Sequence, residues 1–551
     1  MIKNSEAGNK ILDSIISINK TAAALYNMVE NRDKDYSLYA QTLLETLETV
    51  GGALDRLAQE EPALGAHLIC KNAACSLSNL MVYAQNEPEM ALEKIKFELL
   101  PLIQELYVDL YFWGFVYPDK EKMQHYYQNE MRDLCPLPYI DEAESKGAYP
   151  YDISIVVVAY NKLEYTKLCL NHIQKYFPGH ISHELILVNN GSSDGTKEYF
   201  KSLHPDKQID ILYNTKSFSF VSRAIEGKYI LFVSNDVLIT PNSVENMLAC
   251  IESDERIGCV VPVCQNISNL QAIPADYSNI DEMIAFSQKN NISDPYKWEQ
   301  RVRLCIPIAL ARSRVWEFHS FFNYLYPFSP ERFLSFSDDL MSMMMRRNGY
   351  KNILAKDAYV HHFGSVSLDQ NKNDTAKATY LKNCLEFQYV FGLNPWGEGS
   401  CFDRTLIEAL PLKETESVNI LGVNCGLGSD PLKIRETIKE TQKNLKVKIY
   451  SITNNPVYCE DLKGVSDEFK LVDTFTNISD VFPDTVFQYI VFGTGFEKEE
   501  PLSAIMRSAF LCLNKGGVLA VKGVDPAFQS RLAGLFERVK PLGTWSLIFT
   551  E

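Results

Sequence analysis

The hydrophobic pattern changes period twice along the chain. From about Asn9 to Leu134 apolar residues recur every three to four positions. Ile11, Leu12, Ile15, Ile16 and Ile18 open a stripe that Ala22 to Val29 continues, which predicts helix. Tyr36 to Leu57 repeats the pattern, with an expected break at Gly51-Gly52. Glu61-Pro62 and Glu87-Pro88 mark further boundaries, because the residue before proline is pushed out of helical geometry. Leu99 to Val116 is apolar and aromatic, densest over Tyr107–Trp113, and reads as core or as a platform for self-association or an acceptor. An all-α domain of four or five helices is expected over 1–135, without a glycine loop or a histidine–carboxylate cluster.

Near Tyr151 the pattern switches to short continuous apolar runs, each ending in a polar loop. Ile153–Ala159 runs into Tyr160-Asn161-Lys162, and Glu184–Val188 into Asn189-Asn190-Gly191-Ser192-Ser193-Asp194-Gly195-Thr196. Tyr229–Val233 stops at Ser234-Asn235-Asp236. Such runs predict strands buried on both faces, with their carboxyl ends where open α/β sheets bind ligands. A cap or plain turn would equally explain Asp236 and the Asn-Gly pair. After about Ser417 the pattern returns in Val418–Val423 with the loop Asn424-Cys-Gly-Leu-Gly428, then in Val447–Thr453, Phe487–Gly493 and Leu513–Val521. The expected divisions are therefore a helical domain over 1–135, an α/β domain over 150–370, a helix and linker over 371–415, and a second α/β domain over 416–551. Pro136-Leu-Pro138, Gly147–Pro150 and Asn394-Pro-Trp-Gly-Glu-Gly-Ser400 supply turn-rich connections.

A length of 551 residues exceeds what one core organises. The net charge of −16 argues against nucleic acid or an anionic membrane as the main partner. Thirteen cysteines, without CxxC pairs or zinc-like spacing, read as core residues in a reducing compartment. With no secretory apolar segment at the start and no membrane-length apolar run, a cytoplasmic protein without a membrane span is expected.

From about Tyr151 to Leu368 the motifs and their order resemble the family-2 inverting glycosyltransferases of the GT-A fold. The resemblance implies a nucleotide-sugar-binding α/β domain that moves a sugar from a nucleotide-sugar donor to a hydroxyl of a protein or glycan acceptor. It places Ala159, Tyr160, Asn161 and Glu164 along the nucleotide pocket. Asn189 stands where the family often has a base-reading Asp, and Asn190, Ser192, Asp194 and Asn235 are implied as substrate contacts. Asp236 would bind a divalent metal on the diphosphate, manganese or magnesium, since hard oxygen ligands suit such ions. The stretch Val302–Arg314 stands where the family floors its acceptor site with a strand.

Phe333–Tyr350 resembles the acidic pair opening a helix that ends Arg-x-x-Gly-Tyr. Counting back from Gly349 puts Asp338 on the catalytic aspartate, with Ser337 replacing the usual Glu. Inversion needs a carboxylate to take the acceptor proton, although an Asp at a helix start is also a routine cap. Asp339, a substrate contact by resemblance, is the expected cap, and Met341–Met345 reads as core. Ala358–Ser367 matches the closing strand and His-x-Gly-Ser. His362 would meet metal or diphosphate, or serve structurally, while His361 points to the other face. Asn214–Gly227 is shorter than in the family, with Arg223 a phosphate contact or a solvated arginine.

From about Ser417 the chain resembles class I S-adenosylmethionine-dependent methyltransferases, which implies a Rossmann-like domain. Thr453-Asn454-Asn455 replaces the family's acidic ribose ligand, and Asn424 replaces the acidic residue of the first loop. Two charge-assisted hydrogen bonds to the cofactor are thereby missing, so a degenerate domain without S-adenosylmethionine is expected. Three readings follow: a metal-dependent inverting glycosyltransferase, a bifunctional glycosyltransferase and methyltransferase, and a non-catalytic scaffold. Homo-oligomerisation through the N-terminal helices is a further expectation.

Overall fold

The computed structural model describes residues 6–60, 66–116, 119–126, 138–211, 221, 224–315, 336–364, 381, 383–385, 387–388, 391–412, 414–496, 501–523 and 525–550. Arg223, most of the Asn214–Gly227 segment, Phe333–Ser335 and most of the helix expected after Lys372 lie outside them.

The N-terminal stripes form long helices, α1 (Glu6–Glu30), α2 (Tyr36–Glu60) and α3 (Ala66–Asn86), followed by α4 (Pro88–Lys94) and α5 (Leu100–Tyr111). The break expected at Gly51-Gly52 does not occur, because α2 runs through it. Gly51 is buried against Cys70 of α3, where a Cβ would sit in ordinary contact with the thiol. Val108, Leu110 and Phe112 are fully buried, which makes the aromatic stretch core.

The central domain holds a mixed eight-stranded sheet built from β1 (Tyr151–Ala159), β2 (His183–Asn190), β3 (Lys207–Ile211), β4 (Gly227–Ser234), β6 (Ile257–Val263), β7 (Trp298–Arg301), β8 (Ile308–Arg312) and β9 (Lys351–Tyr359). A two-stranded ribbon pairs β5 (Val237–Leu238) with β10 (His361–His362). The order is β3-β2-β1-β4-β8-β6-β9-β7, with the first four parallel and β8 antiparallel to β4. One sheet face packs Ile153, Ile155 and Val157 against Leu170 and Ile173 of helix Leu163–Tyr176. On the other, Val156, Ile186, Val188 and Ile209 share one apolar core with the N-terminal helices.

Two expected strands are redrawn. Only Ile308–Arg312 of the 302–314 stretch is strand, because Pro307 has no N–H to give a ladder and its carbonyl instead accepts from Ser234 N at 3.0 Å. The closing strand begins at Lys351, and Val360 separates it from the His361–His362 ribbon.

The C-terminal domain has a seven-stranded sheet of β11 (Val418–Val423), β12 (Val447–Thr453), β13 (Glu468–Leu471), β14 (Phe487–Phe492), β15 (Leu513–Lys522), β16 (Val539–Leu542) and β17 (Trp545–Phe549). Their order is β13-β12-β11-β14-β15-β17-β16, with β17 antiparallel to both neighbours. This domain docks on the central one through Asp461, which meets Arg346 at 2.5 Å and Arg347 at 2.8 Å, and through Lys433–Glu299 at 2.7 Å. No helix among the described residues is long and apolar enough to cross a membrane.

Candidate functional site

The polar loops gather at the carboxyl edge of the central sheet because β1, β2 and β4 run parallel and end together, Ala159 lying beside Asn189 and Val158 beside Ser234. The turn after β1 places Asn161 and Lys162 at φ 55° and 64°. Asn tolerates this left-handed conformation, whereas for Lys it stores strain of the kind found at functional loops. Neighbouring loops hold the turn. Asn161 N donates to Ser192 Oγ at 2.8 Å, and Ser193 N donates to Asn161 Oδ1 at 2.9 Å. Asp194 accepts from Leu163 N at 2.8 Å and from Thr196 Oγ1 at 2.6 Å, so one carboxylate satisfies the starts of two helices. Burial pushes its pKa up, but these donors outweigh burial and hold the carboxyl below its ordinary range.

Several residues expected as substrate contacts therefore spend their polar atoms inside the protein. Asn235 donates through Nδ2 to Asn161 O at 3.1 Å and Thr166 Oγ1 at 2.9 Å, tying the β4 loop to the β1 loop. Asn189 accepts from Ser192 N at 3.0 Å and donates to Asp210 Oδ1 at 3.3 Å. Asn190 is buried beside it. Glu164 is not brought to the site: its side chain is 82 % exposed and paired with Lys167, in a helical first turn that favours an acid. Tyr160 keeps its ring 41 % exposed at the rim, above the buried Ala159.

Asp236 and His362 do come together. The β5–β10 ribbon sets His362 opposite Val237, and Phe363 N donates to Asp236 O at 3.1 Å. His362 Nε2 then lies 3.4 Å from Asp236 Oδ2, while its Nδ1 is 2.7 Å from Asn266 O, which fixes the ring. Burial works against protonation of His362, but Asp236, Cys264 and the Asn266 carbonyl raise it to about 10. His361 faces the other way, 2.5 Å from Tyr277 OH, and burial followed by the neighbouring His362 lowers it to about 4.

The acidic pair opens helix Ser337–Arg347, but neither Asp caps it; the N-cap position is Phe336. Asp338 Oδ2 accepts from Ile306 N at 2.9 Å, and among the described residues its Oδ1 has only the Ser337 hydroxyl at 3.4 Å. Ile306 adjoins Pro307, whose carbonyl binds Ser234 N, so Asp338 stands against the same strand end as Asp236. Burial raises the Asp338 carboxyl above the ordinary range. Asp339 has both oxygens engaged, one by Arg303 Nε at 2.6 Å and the other by Trp396 Nε1 at 2.9 Å. Burial holds it at about 6 despite the Arg303 charge.

Sequence reasoning missed Arg303, Trp396, Asp210 and Asn266. A tryptophan between Pro395 and Gly397 in a polar linker was the one visible signal; the others look like ordinary strand or loop residues.

Residues 154–299 match the family model described as Glycosyl transferase family 2. Asp338 and His362 lie beyond that segment. An uncharacterized glycosyltransferase of Rickettsia bellii (strain RML369-C) is 26 % identical over 110 residues, covering 19 % of this chain and 16 % of that protein. Among solved structures, residues 1–349 of S. aureus TarS in complex with UDP give 16 % identity and a TM-score of 0.29, covering 44 % of this chain and 70 % of that one. The mannosyltransferase PcManGT from Pyrobaculum calidifontis, in complex with GDP-Man and Mn2+, gives 15 % and 0.28, over 48 % of this chain and 79 % of that one.

Proposed function

We propose that the central domain is an inverting, metal-assisted glycosyltransferase of the GT-A type, moving a sugar from a nucleotide-sugar donor to an acceptor hydroxyl. The observation that carries this reading is the meeting of Asp236 and His362 at the end of the central strand, with Asp338 against the same strand end. A carboxylate oxygen fits manganese or magnesium, which take few protein ligands and complete their shell with phosphate oxygens and water, and the oriented imidazole of His362 suits manganese once it is deprotonated. Among the described residues no group of three such side chains converges. Asp236 and His362 would hold the ion, which supplies charge neutralisation for the leaving diphosphate.

Asp338 is the base in this reading. Its Ile306 bond fixes the carboxylate, its Oδ1 is only weakly engaged among the described residues and would meet the acceptor hydroxyl, and burial makes the carboxylate more basic than usual, which suits proton uptake. Tyr160 offers an aromatic rim to the base. Asn161, Asn189, Ser192, Asp194 and Asn235 shape the pocket by holding its loops. The matched family segment supports the transferase class.

For the C-terminal domain we propose a degenerate methyltransferase-like module. Its strand order with antiparallel β17 supports the first part. The second part rests on Asn424 and Thr453, which bond each other at 3.0 Å where the resemblance places an acidic loop residue and the acidic ribose ligand.

The test is calorimetry of the full chain against a panel of UDP- and GDP-sugars with and without manganese. Binding that requires the ion and is lost in Asp236→Ala, with the melting temperature kept, is the expected result. Donor affinity unchanged in that variant would reject the assignment.

A further inference from the structure

We propose that Trp396 is the platform on which the acceptor's sugar ring sits, and that the glycine loop of the C-terminal domain pins the linker carrying it. This rests on the glycosyltransferase reading and extends it to the class of acceptor, a glycoside.

Trp396 belongs to no secondary structure, yet its orientation is fixed. Its indole N–H binds Asp339, the residue next to the proposed base, and Phe336 meets it edge-on at 5.3 Å. The Arg303 guanidinium lies 5.1 Å from its ring centroid. The residue is nevertheless 47 % exposed. A half-exposed indole beside a guanidinium matches a pyranose, whose C–H face packs on aromatic rings while its hydroxyls need polar partners at the rim.

The linker is held at both ends of its turn. Trp396 N donates to Asn394 Oδ1 and Gly397 N to Asn394 O, both at 2.9 Å. Immediately after, Glu398 O accepts from Leu427 N at 3.0 Å and Gly399 O accepts from Ser429 N at 3.1 Å. The Glu398 carboxylate accepts from Thr494 N at 3.1 Å. Leu427 and Ser429 sit in the glycine loop that opens helix Ser429–Gln442, where free amides ordinarily receive an anionic ligand. Here they receive the linker. The contact is backbone on backbone: Gly399 is at φ 69°, and a Cβ there would collide with the Cys425 carbonyl, as one on Gly426 would with that of Glu398. The cradle of the C-terminal domain is thus filled by the chain itself, and what it positions is Trp396.

The test uses the full chain. Binding of UDP and GDP with manganese is titrated first, then binding of a panel of p-nitrophenyl glycosides, in wild type, Trp396→Ala, Trp396→Phe and Gly399→Val. The half-saturating glycoside concentration should rise about ten- to thirtyfold in Trp396→Ala and largely recover in Trp396→Phe. Gly399→Val should show the same acceptor defect with its tryptophan intact, because its side chain cannot fit against Cys425. Glycoside affinity unchanged in Trp396→Ala, or no glycoside bound by a wild type that binds nucleotide, overturns the platform. Wild-type glycoside affinity in Gly399→Val overturns the pinning. A wild type that binds neither nucleotide removes the glycosyltransferase reading itself, and this proposal with it.

Discussion

Asp338 and Asp339 are adjacent and stand against the same segment, Asp339 buried and Asp338 partly exposed, and they are chemically unlike. Asp339 has a guanidinium and an indole on its two oxygens, whereas Asp338 has one firm donor and one weak one. Asp338→Asn keeps the bond from Ile306 but cannot take a proton, so its turnover should fall by about 10²–10⁴. Asp339→Asn should retain most of its turnover and weaken acceptor binding instead. Initial rates of the two variants side by side decide the matter, and the reverse pattern would place the base one residue later. Asp339 also leaves a mark on stability. Its carboxyl titrates at about 6 in the fold against an ordinary 3.8, because burial disfavours its charge. The folded chain therefore binds that proton more tightly than the unfolded one. The resulting stabilisation is present at low pH and is lost as pH rises from about 4 to about 6. Asp430, also held at about 6 by burial, adds to the same window. Denaturation midpoints across this range should fall less steeply in Asp339→Asn, and an unchanged slope would reject the assignment.

At the scale of elements, the site depends on strands that end level with one another, and the opposite edge of the sheet fixes that alignment. Lys207, at the start of β3, is 6 % exposed and meets Glu184 at 2.5 Å and Glu226 at 2.7 Å. Glu184 in turn accepts from Ser154 Oγ and Glu226 N, which joins the starts of β1, β2 and β4. Lys207→Met keeps the length of the side chain and leaves Glu184 buried without its cation, which should cost about 3–5 kcal/mol. The first urea transition reports it; a shift too small to measure would mean that the network relaxes into water. The strands themselves were legible, since runs such as Ile153–Ala159 and Tyr229–Val233 have no other good use than a doubly covered strand. Their loops were less so. Asn, Ser and Asp suit ligand binding and loop capping equally, and in the fold Ser192, Asp194 and Asn235 hydrogen-bond neighbouring loops.

For the molecule as a whole, the docking of the C-terminal domain sets where Trp396 lies. Asp461 is wholly buried between Arg346 and Arg347, which end the helix begun by the acidic pair. Asp461→Asn would leave Arg346 buried against a neutral partner, at about 3–5 kcal/mol of interface stability. Limited proteolysis should then cut the 391–417 linker faster and release two resistant fragments. Protection equal to wild type would show that Lys433–Glu299 and the linker contacts hold the interface without it.

The sequence by itself determined the kinds of element and the succession of helical, α/β and α/β regions, and it singled out Asp236, Asp338 and His362, the groups on which the proposed chemistry rests. It could do so because burial on one face or two imposes a period on the chain, and because those groups sit at the ends of such periods. The tertiary structure alone decided which polar atoms are spent on other loops and that α2 continues through Gly51-Gly52. It also decided that the glycine loop after β11 receives the protein's own linker. Those outcomes depend on which distant backbone reaches a hydrogen-bonding group first, and no local pattern encodes that.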